Sequence, residues 1–227
     1  MKYSDFEYIM STPRMNRYLG ACNNDTKKAM TLYRKNLKLS QELFTVISCF
    51  EVALRNGIDR HYKNIHGNNW LRDFAQNGGV FGSGATNKSQ KAIKDTISKL
   101  GGLYTHPRLV SELGFGFWRF LFARNQYRLA GRTLQHIFPK LPPTTRLVQY
   151  NAATIFVKLE RVNKIRNRIA HHDPICFRHG MNLINTNFPL SYYNTIIELF
   201  SWLDIDSSEL LYGLDKVNKL IDEINKL

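Results

Sequence analysis

The chain is short of acidic residues: 18 Asp and Glu stand against 32 Lys and Arg among 227 residues, a formal net charge of +14 at pH 7. Such a surplus is typical of proteins that bind polyanions, because clustered cations attract phosphates and release counterions on binding. The composition therefore predicts a nucleic-acid partner. The alternative is a protein that is merely basic.

Cysteine is also scarce: Cys22, Cys49 and Cys176 form no CxxC pair. An odd, unpaired set fits a reducing compartment and gives no zinc signature. No uncharged run approaches the length of a membrane span, and the first residues lack the apolar stretch of a signal peptide. We expect a cytoplasmic protein with no membrane contact, no metal and no cofactor.

Proline is absent from residues 25–62, which form the first of two predicted long helices, with Asp25 as its N-cap. Apolar residues recur in it at spacings of three and four, which is the stripe of an amphipathic helix. They are Leu43, Ile47, Phe50, Leu54 and Ile58. The second long helix is predicted after "FPKLPP", with Thr144 or Thr145 as its cap, and it ends near His171 or His172, before Asp173-Pro174.

The remaining segments predict shorter elements. A glycine-rich loop covers residues 77–87 and lacks the Gly-Lys-Ser/Thr ending of a phosphate-binding loop, and a short helix follows at about 88–100. Residues 175–190 read as a loop with a short extended piece at 181–185, and two C-terminal helices cover about 191–203 and 207–226. The fold class is all-α, in a single domain over residues 1–227.

An aromatic segment, "ELGFGFWRFLF", occupies residues 112–122. Its rings are expected to form an aromatic wedge in the core. The alternative is stacking on RNA bases, which requires that rings be exposed.

The end of the second long helix carries the most reactive residues. Arg166 falls inside a stripe that is otherwise apolar, and an arginine there needs a partner or an anion within reach. The stripe consists of Ile155, Leu159, Val162 and Ile169. Asn163, Asn167 and His171 follow one another at four-residue spacing beside Arg166, and Glu160 joins the same side.

These residue types suit metal-independent RNA cleavage. Arginine offers a bidentate fork for phosphate, and histidine moves a proton near neutral pH. The alternative is that basic residues at a helix C-terminus only complement the macrodipole. A metal site is disfavoured, because the adjacent His171 and His172 point about 100° apart on a helix.

Arg166, Asn167 and His171 form R-N-x-x-x-H, which resembles the motif of HEPN-type ribonucleases. The wider chain, from about Arg14 to Ile175, resembles the Abi-like family of phage abortive-infection proteins, of the AbiD and AbiF type. The segments that carry this likeness are "KKAMTLYRKNLKLSQEL" (27–43), "FEVALRNGI" (50–58), "LGFGFWRFLF" (113–122) and "RNRIAHHDPI" (166–175).

The resemblance implies a HEPN-like helical bundle and a homodimer in which Arg and His from two copies face each other across one site. It implies that Arg166 holds the scissile phosphate, that His171 is the acid or base, and that Asn167 orients one of them. His172 is an auxiliary candidate that could exchange roles with His171.

Glu51, Arg55 and Asn56 lie within "FEVALRNGI", on the first long helix. One interpretation is an ion pair between Glu51 and Arg55, one turn apart. The other is that Glu51 reaches Arg166 or His171, while Arg55 and Asn56 add an anion contact. Glu160 competes with Glu51 for Arg166.

Three hypotheses follow for the function. The first is a phage-defence endonuclease that cleaves cellular RNA like a toxin. The second is an RNA-binding module that holds a structured or non-coding RNA without cleaving it. The third is a helical interaction protein whose dimer matters more than any chemistry.

Overall fold

Helices dominate this computed structural model, which describes residues 1–82, 84–178 and 180–227. Within those ranges the only β pairing is one antiparallel bridge between Phe177 and Ile184. The all-α prediction is confirmed. The α-helices are α1 (Tyr3–Met10), α2 (Thr12–Ala21), α3 (Thr26–His66), α4 (Trp70–Phe74), α5 (Asn87–Leu100), α6 (His106–Glu112), α7 (Phe115–Phe120), α8 (Arg124–Leu129), α9 (Ala152–Ala170), α10 (Asn187–Trp202), α11 (Ser207–Leu210) and α12 (Val217–Asn225).

The first long helix, α3, begins where the sequence predicts. The Asp25 carboxylate accepts hydrogen bonds from the backbone N–H groups of Lys27 at 2.9 Å and Lys28 at 3.0 Å, which satisfies two amides of the first turn. The predicted apolar stripe is buried along its whole length. Its members Leu43, Ile47, Phe50, Leu54 and Ile58 are each at most 1% exposed.

The second long helix, α9, begins at Ala152, so the prediction of a cap at Thr144 or Thr145 is wrong. Asn151 caps the helix instead, through hydrogen bonds from the N–H groups of Ala153 at 2.9 Å and Thr154 at 3.2 Å. Both threonine hydroxyls are engaged within the preceding loop, where they accept from nearby backbone amides. An earlier helix start would lose these local hydrogen bonds.

The C-terminal segment 207–226 forms two helices, where the sequence predicts one. Helix α11 ends at Leu210, and Gly213 then adopts a positive φ of 75°, which a continuing helix does not allow. Asp215 restarts the chain as α12 by accepting a hydrogen bond from Val217 N at 3.0 Å.

The glycine-rich loop 77–87 uses glycine for close packing. A Cβ at Gly79 would lie 2.4 Å from the carbonyl oxygen of Asp73, so no larger residue fits there. Helix α5 follows at Asn87, close to its predicted start. Residue 83 of this loop, and residue 179 of the predicted loop 175–190, lie outside the described residues.

The chain divides into two compact units, and the prediction of a single domain over 1–227 stays a prediction. The first unit comprises Met1–Ser48, Lys164–Glu198 and Ser207–Leu227, and the second comprises Cys49–Asn163 and Leu199–Asp206. No helix within the described ranges is both long and apolar enough to cross a membrane.

Each unit has an aromatic core of its own. In the first unit, the buried Tyr18 ring lies 5.0 Å from Tyr33 and 4.9 Å from Phe177. In the second unit, the buried Phe50 ring packs edge-on against Phe200 at 5.3 Å. Such edge-to-face pairs add about 0.5–1.5 kcal/mol each beyond the area they bury.

Candidate functional site

Helix α9 ends in a hydrogen-bonded turn that fixes the two adjacent histidines. The N–H of His172 donates to Ile169 O and the N–H of Asp173 donates to Arg168 O, both at 2.9 Å, which is the pattern of a Schellman cap. His172 occupies the left-handed position of this cap, with φ at 57°. His171 is the last residue whose N–H donates to the carbonyl four residues earlier, Asn167 O, at 2.9 Å. The predicted end of the helix before Asp173-Pro174 is therefore confirmed.

Two arginines hold this turn from outside. Arg14 donates from Nη1 to the carbonyl oxygen of His172 at 2.8 Å. Arg168 donates from Nη2 to Pro174 O at 2.8 Å, and its guanidinium lies 4.6 Å from the centre of the Phe188 ring. Both guanidinium groups therefore donate to carbonyl oxygens of the segment that follows His171.

Asn36 fixes the chain directly after this turn. Its side-chain oxygen accepts the backbone N–H groups of Ile175 at 2.9 Å and Cys176 at 3.2 Å, and the residue is only 4% exposed. Buried amides must be paired, so Asn36 determines where the chain runs after Pro174.

Arg166 lies at the edge of the buried face of α9. The stripe predicted to surround it is buried at Ile155, Leu159 and Val162, but it continues through Ile165, while Ile169 is only half-buried. Arg166 is itself half-buried, and its Nε is buried without a hydrogen-bond partner among the described residues. An unsatisfied donor of this kind costs about 1–3 kcal/mol. The Nε atoms of Arg55 and Arg119 are in the same state, so the combination with the nearby exposed His171 is what distinguishes Arg166.

Asn167, His171 and His172 are exposed, so their side chains are open to a ligand. Around the helix axis, Asn167 and His171 lie about 40° apart, whereas Arg166 and His171 lie about 140° apart. The motif therefore places an amide and an imidazole on one side of the helix end and directs the guanidinium to another side.

The auxiliary candidates other than His172 belong to the second unit, in which Asn163 and Arg55 are half-buried and Asn56 is exposed. Glu51 forms no ion pair within the described chain, so the proposed pair with Arg55 does not form. Arg55 instead donates weakly to Ser111 O at 3.5 Å. Contacts of Glu51, Arg55 and Asn56 with the Arg166 motif stay predictions.

Glu160, the other candidate acid, has a partner in its own unit. Its Oε1 lies 3.6 Å from Nη1 of Arg119, a buried arginine of α7. Glu160 is a predicted partner of Arg166 because both lie on α9, whereas the arginine inside the aromatic segment was not predicted as a partner.

Three residues that position the site are not among those predicted from the sequence, namely Arg14, Asn36 and Arg168. A signal existed for Asn36, which falls between Leu32 and Leu39 on the buried stripe of α3. A polar residue on an apolar stripe is the same anomaly that singled out Arg166. No such pattern marks Arg14 or Arg168. Each donates to a backbone carbonyl of the turn, and every residue type has such a carbonyl, so the sequence carries no signal for the contact.

A second polar cluster is buried in the second unit around Asp59. Its Oδ1 accepts from Trp70 Nε1 at 2.8 Å and lies 2.7 Å from His106 Nε2, and its Oδ2 lies 2.7 Å from Lys63 Nζ. Burial alone would raise the pKa of Asp59, but the hydrogen bonds from His106, Lys63 and Trp70 outweigh it and lower the pKa to about 2. The cluster is a structural tie between α3, α4 and α6.

Across the described residues, no group of three or more His, Cys, Asp or Glu is placed to hold a metal ion. No protein-family model matches the chain, and neither a curated protein nor a solved structure matches it.

Proposed function

We propose that this protein is a metal-independent endoribonuclease of the HEPN type, with Arg166, Asn167 and His171 as its catalytic set. One observation carries the proposal: a half-buried arginine with an unsatisfied Nε lies five residues before an exposed histidine that a capped turn holds in place. An arginine of this kind favours a phosphate, and an imidazole near it can transfer a proton.

The proposed reaction is transesterification at a ribose. His171 accepts the proton of the 2′-hydroxyl, and the 2′-oxygen attacks the adjacent phosphorus. The bond from phosphorus to the 5′-oxygen breaks, and the 5′-oxygen takes up a proton. Arg166 stabilises the negative charge that develops on the phosphate oxygens, and Asn167 orients the imidazole or the phosphate. The products are a 2′,3′-cyclic phosphate and a 5′-hydroxyl.

A second copy of the chain completes the site in this proposal. The side chains of Arg166 and His171 leave one helix end about 140° apart, so a single copy does not readily direct both to one phosphate. A two-fold pair of helix ends supplies a guanidinium and an imidazole from opposite sides. The second copy's His171 then donates the proton to the leaving 5′-oxygen.

The biological setting belongs to the same proposal. The resemblance of four segments to abortive-infection proteins supports a role in phage defence, with cellular RNA as the substrate in the cytoplasm. The net charge of +14 supports an RNA partner but does not distinguish cleavage from binding.

The first prediction concerns cleavage by purified protein. We expect wild type to cut total RNA in EDTA and to leave 2′,3′-cyclic phosphate ends. The loss of an acid or base costs about 10²–10⁴ in rate, so His171→Ala abolishes detectable cleavage. We expect Arg166→Ala to lower the cleavage rate by a factor of about 10²–10³, as when a charge-stabilising donor is removed. The rate of cleavage measures both effects, and mapping of the RNA ends tests for the 2′,3′-cyclic phosphate.

His172→Gly is the matched control, because it removes the neighbouring imidazole and suits the positive φ of this position. We expect it to cleave like wild type. If His172→Gly is inactive and His171→Ala is active, the proton transfer belongs to His172. If wild type binds RNA tightly and never cleaves it, the protein is the RNA-binding module instead.

A further inference from the structure

Two neighbouring cavities in the second unit share a wall. One has a volume of about 560 Å³ and is lined by residues of α5, α7 and α8. The other has a volume of about 670 Å³ and is lined by α8 and the first residues of α9. Ala123 and Arg124 line both. Each cavity has the size of a small-molecule site, so together they form a two-compartment groove.

The groove is uniformly basic. Lys88 lines the first compartment, Arg124 lines both, and Arg128 and Arg132 line the second. All four are exposed, and none forms an ion pair with another described residue. Neither compartment has Asp or Glu in its lining. Unneutralised cations around a concave surface attract an anionic ligand.

Aromatic rings face the same two compartments. Phe117 and Phe120 line the first, and Phe156 and Tyr127 line the second. Phe120 is 44% exposed, whereas Phe115, Trp118 and Phe122 of the same segment are buried and Phe117 is half-buried. An exposed ring beside cations is the arrangement used for stacking nucleobases.

A buried arginine holds the rings at the groove in position. The Arg119 guanidinium lies 4.6 Å from the centre of the Phe120 ring and 5.0 Å from that of Phe156. The two rings are 5.9 Å apart, and Arg119 also approaches Glu160 at 3.6 Å. Because Arg119 is only 9% exposed, it is a support for the rings and not a contact for the ligand.

We propose that this surface, the aromatic groove of Lys88, Phe117, Phe120, Arg124, Arg128 and Phe156, binds single-stranded RNA. Successive bases stack on Phe120 and Phe156 in the two compartments, and Arg124 contacts the phosphate between them. Rings and cations by themselves fit any single-stranded nucleic acid, so the choice of RNA rests on the proposed function. A duplex stacks its own bases and leaves the rings without a ligand.

Anisotropy of a labelled single-stranded oligouridine tests this on the full-length His171→Ala protein, which cannot consume the probe. We expect Phe120→Ala to weaken binding roughly tenfold, as for one lost stacked base, and Phe120→Tyr to restore it. We expect Arg124→Gln to weaken binding and to lower the slope of log K against log salt by about 0.7, the value of one phosphate contact in a single strand. Phe120→Ala should leave that slope unchanged.

Two matched controls lie outside the groove in the same unit. Arg60→Gln removes one exposed cation, and Leu103→Ala removes an apolar side chain that is 66% exposed. We expect both to bind as the parent protein does. The proposal is overturned if the groove variants bind normally, if the controls weaken binding equally, or if a duplex of the same length binds as tightly as the single strand.

These results are independent of cleavage. If wild type does not cut RNA but the Phe120 and Arg124 variants lose single-strand binding, the groove stands and the nuclease proposal fails. If wild type cuts RNA and the groove variants bind and cut normally, the nuclease proposal stands and the groove fails. Equal binding of single-stranded DNA would support the groove as a site for single strands and contradict its preference for RNA.

Discussion

Three buried or half-buried polar residues show how single side chains decide what this protein can do. Asn36 and Asp59 each have an acceptor oxygen that takes two or more hydrogen bonds, so their burial stabilises the fold. Arg166 differs, because its Nε is buried and unsatisfied. The first two are structural for that reason. The Nε atoms of Arg55 and Arg119 are also buried and unsatisfied, so Arg166 is the candidate for a ligand contact because it also lies in the R-N-x-x-x-H motif.

Asp59 makes the second unit sensitive to acid. Its pKa is lowered from an ordinary value of 3.8 to about 2, so the folded state favours the carboxylate. The resulting stability, about 2 kcal/mol, is present above pH 4 and is lost as the pH falls toward 2. We expect Asp59→Asn to lower the free energy of unfolding by about this amount at pH 7, and the difference from wild type to close near pH 2.

Urea unfolding between pH 2 and pH 7 measures this difference. Asp73→Asn is the control, because that carboxylate is about half exposed and its pair with Arg72, at 3.5 Å, contributes little. A constant gap between wild type and Asp59→Asn across this range would show that Asp59 stabilises the unit without its charge.

At the scale of elements, the long helices were predictable because their signals are local. Asp25 and the stripe from Leu43 to Ile58 are visible in the sequence, and Asp173-Pro174 marks the end of α9. The start of α9 was missed because Thr144 and Thr145 are good caps in isolation, and only the folded loop shows that their hydroxyls are engaged.

The short helices and the exposure of one aromatic ring were not predictable in the same way. Helices of four to eight residues, such as α1, α4 and α11, are too short to be stable alone and form only when packed. The aromatic segment was predicted to lie in the core, and this is confirmed for Phe115, Trp118 and Phe122, but sequence could not show that Phe120 is exposed.

One element prediction concerns the tie between α3 and the chain after α9. Asn36→Leu leaves the amides of Ile175 and Cys176 buried without an acceptor, which should lower the free energy of unfolding by about 2–4 kcal/mol. Amide hydrogen exchange at these two positions should accelerate. Asn56→Leu, at an exposed position of the same helix, should change stability by less than about 0.5 kcal/mol. Unchanged exchange at Ile175 and Cys176 would contradict this account of Asn36.

At the scale of the whole molecule, the proposed nuclease depends on pairing. A site that needs His171 from both copies predicts interference between active and inactive chains. If wild type is mixed with an equal amount of His171→Ala protein and the copies exchange, about half of the wild-type activity should remain, because mixed pairs lack one imidazole. A site contained in one copy would leave the activity unchanged. Measuring the cleavage rate after the mixture has equilibrated distinguishes the two.

The unsatisfied Nε of Arg166 lowers the stability of the free protein, although the proposed function requires this arginine. An apolar side chain of similar length would remove the unsatisfied donor and make the unliganded chain more stable. In the proposed ribonuclease, the scissile phosphate supplies the acceptor that this Nε lacks, so binding of RNA is expected to stabilise the end of α9 against unfolding.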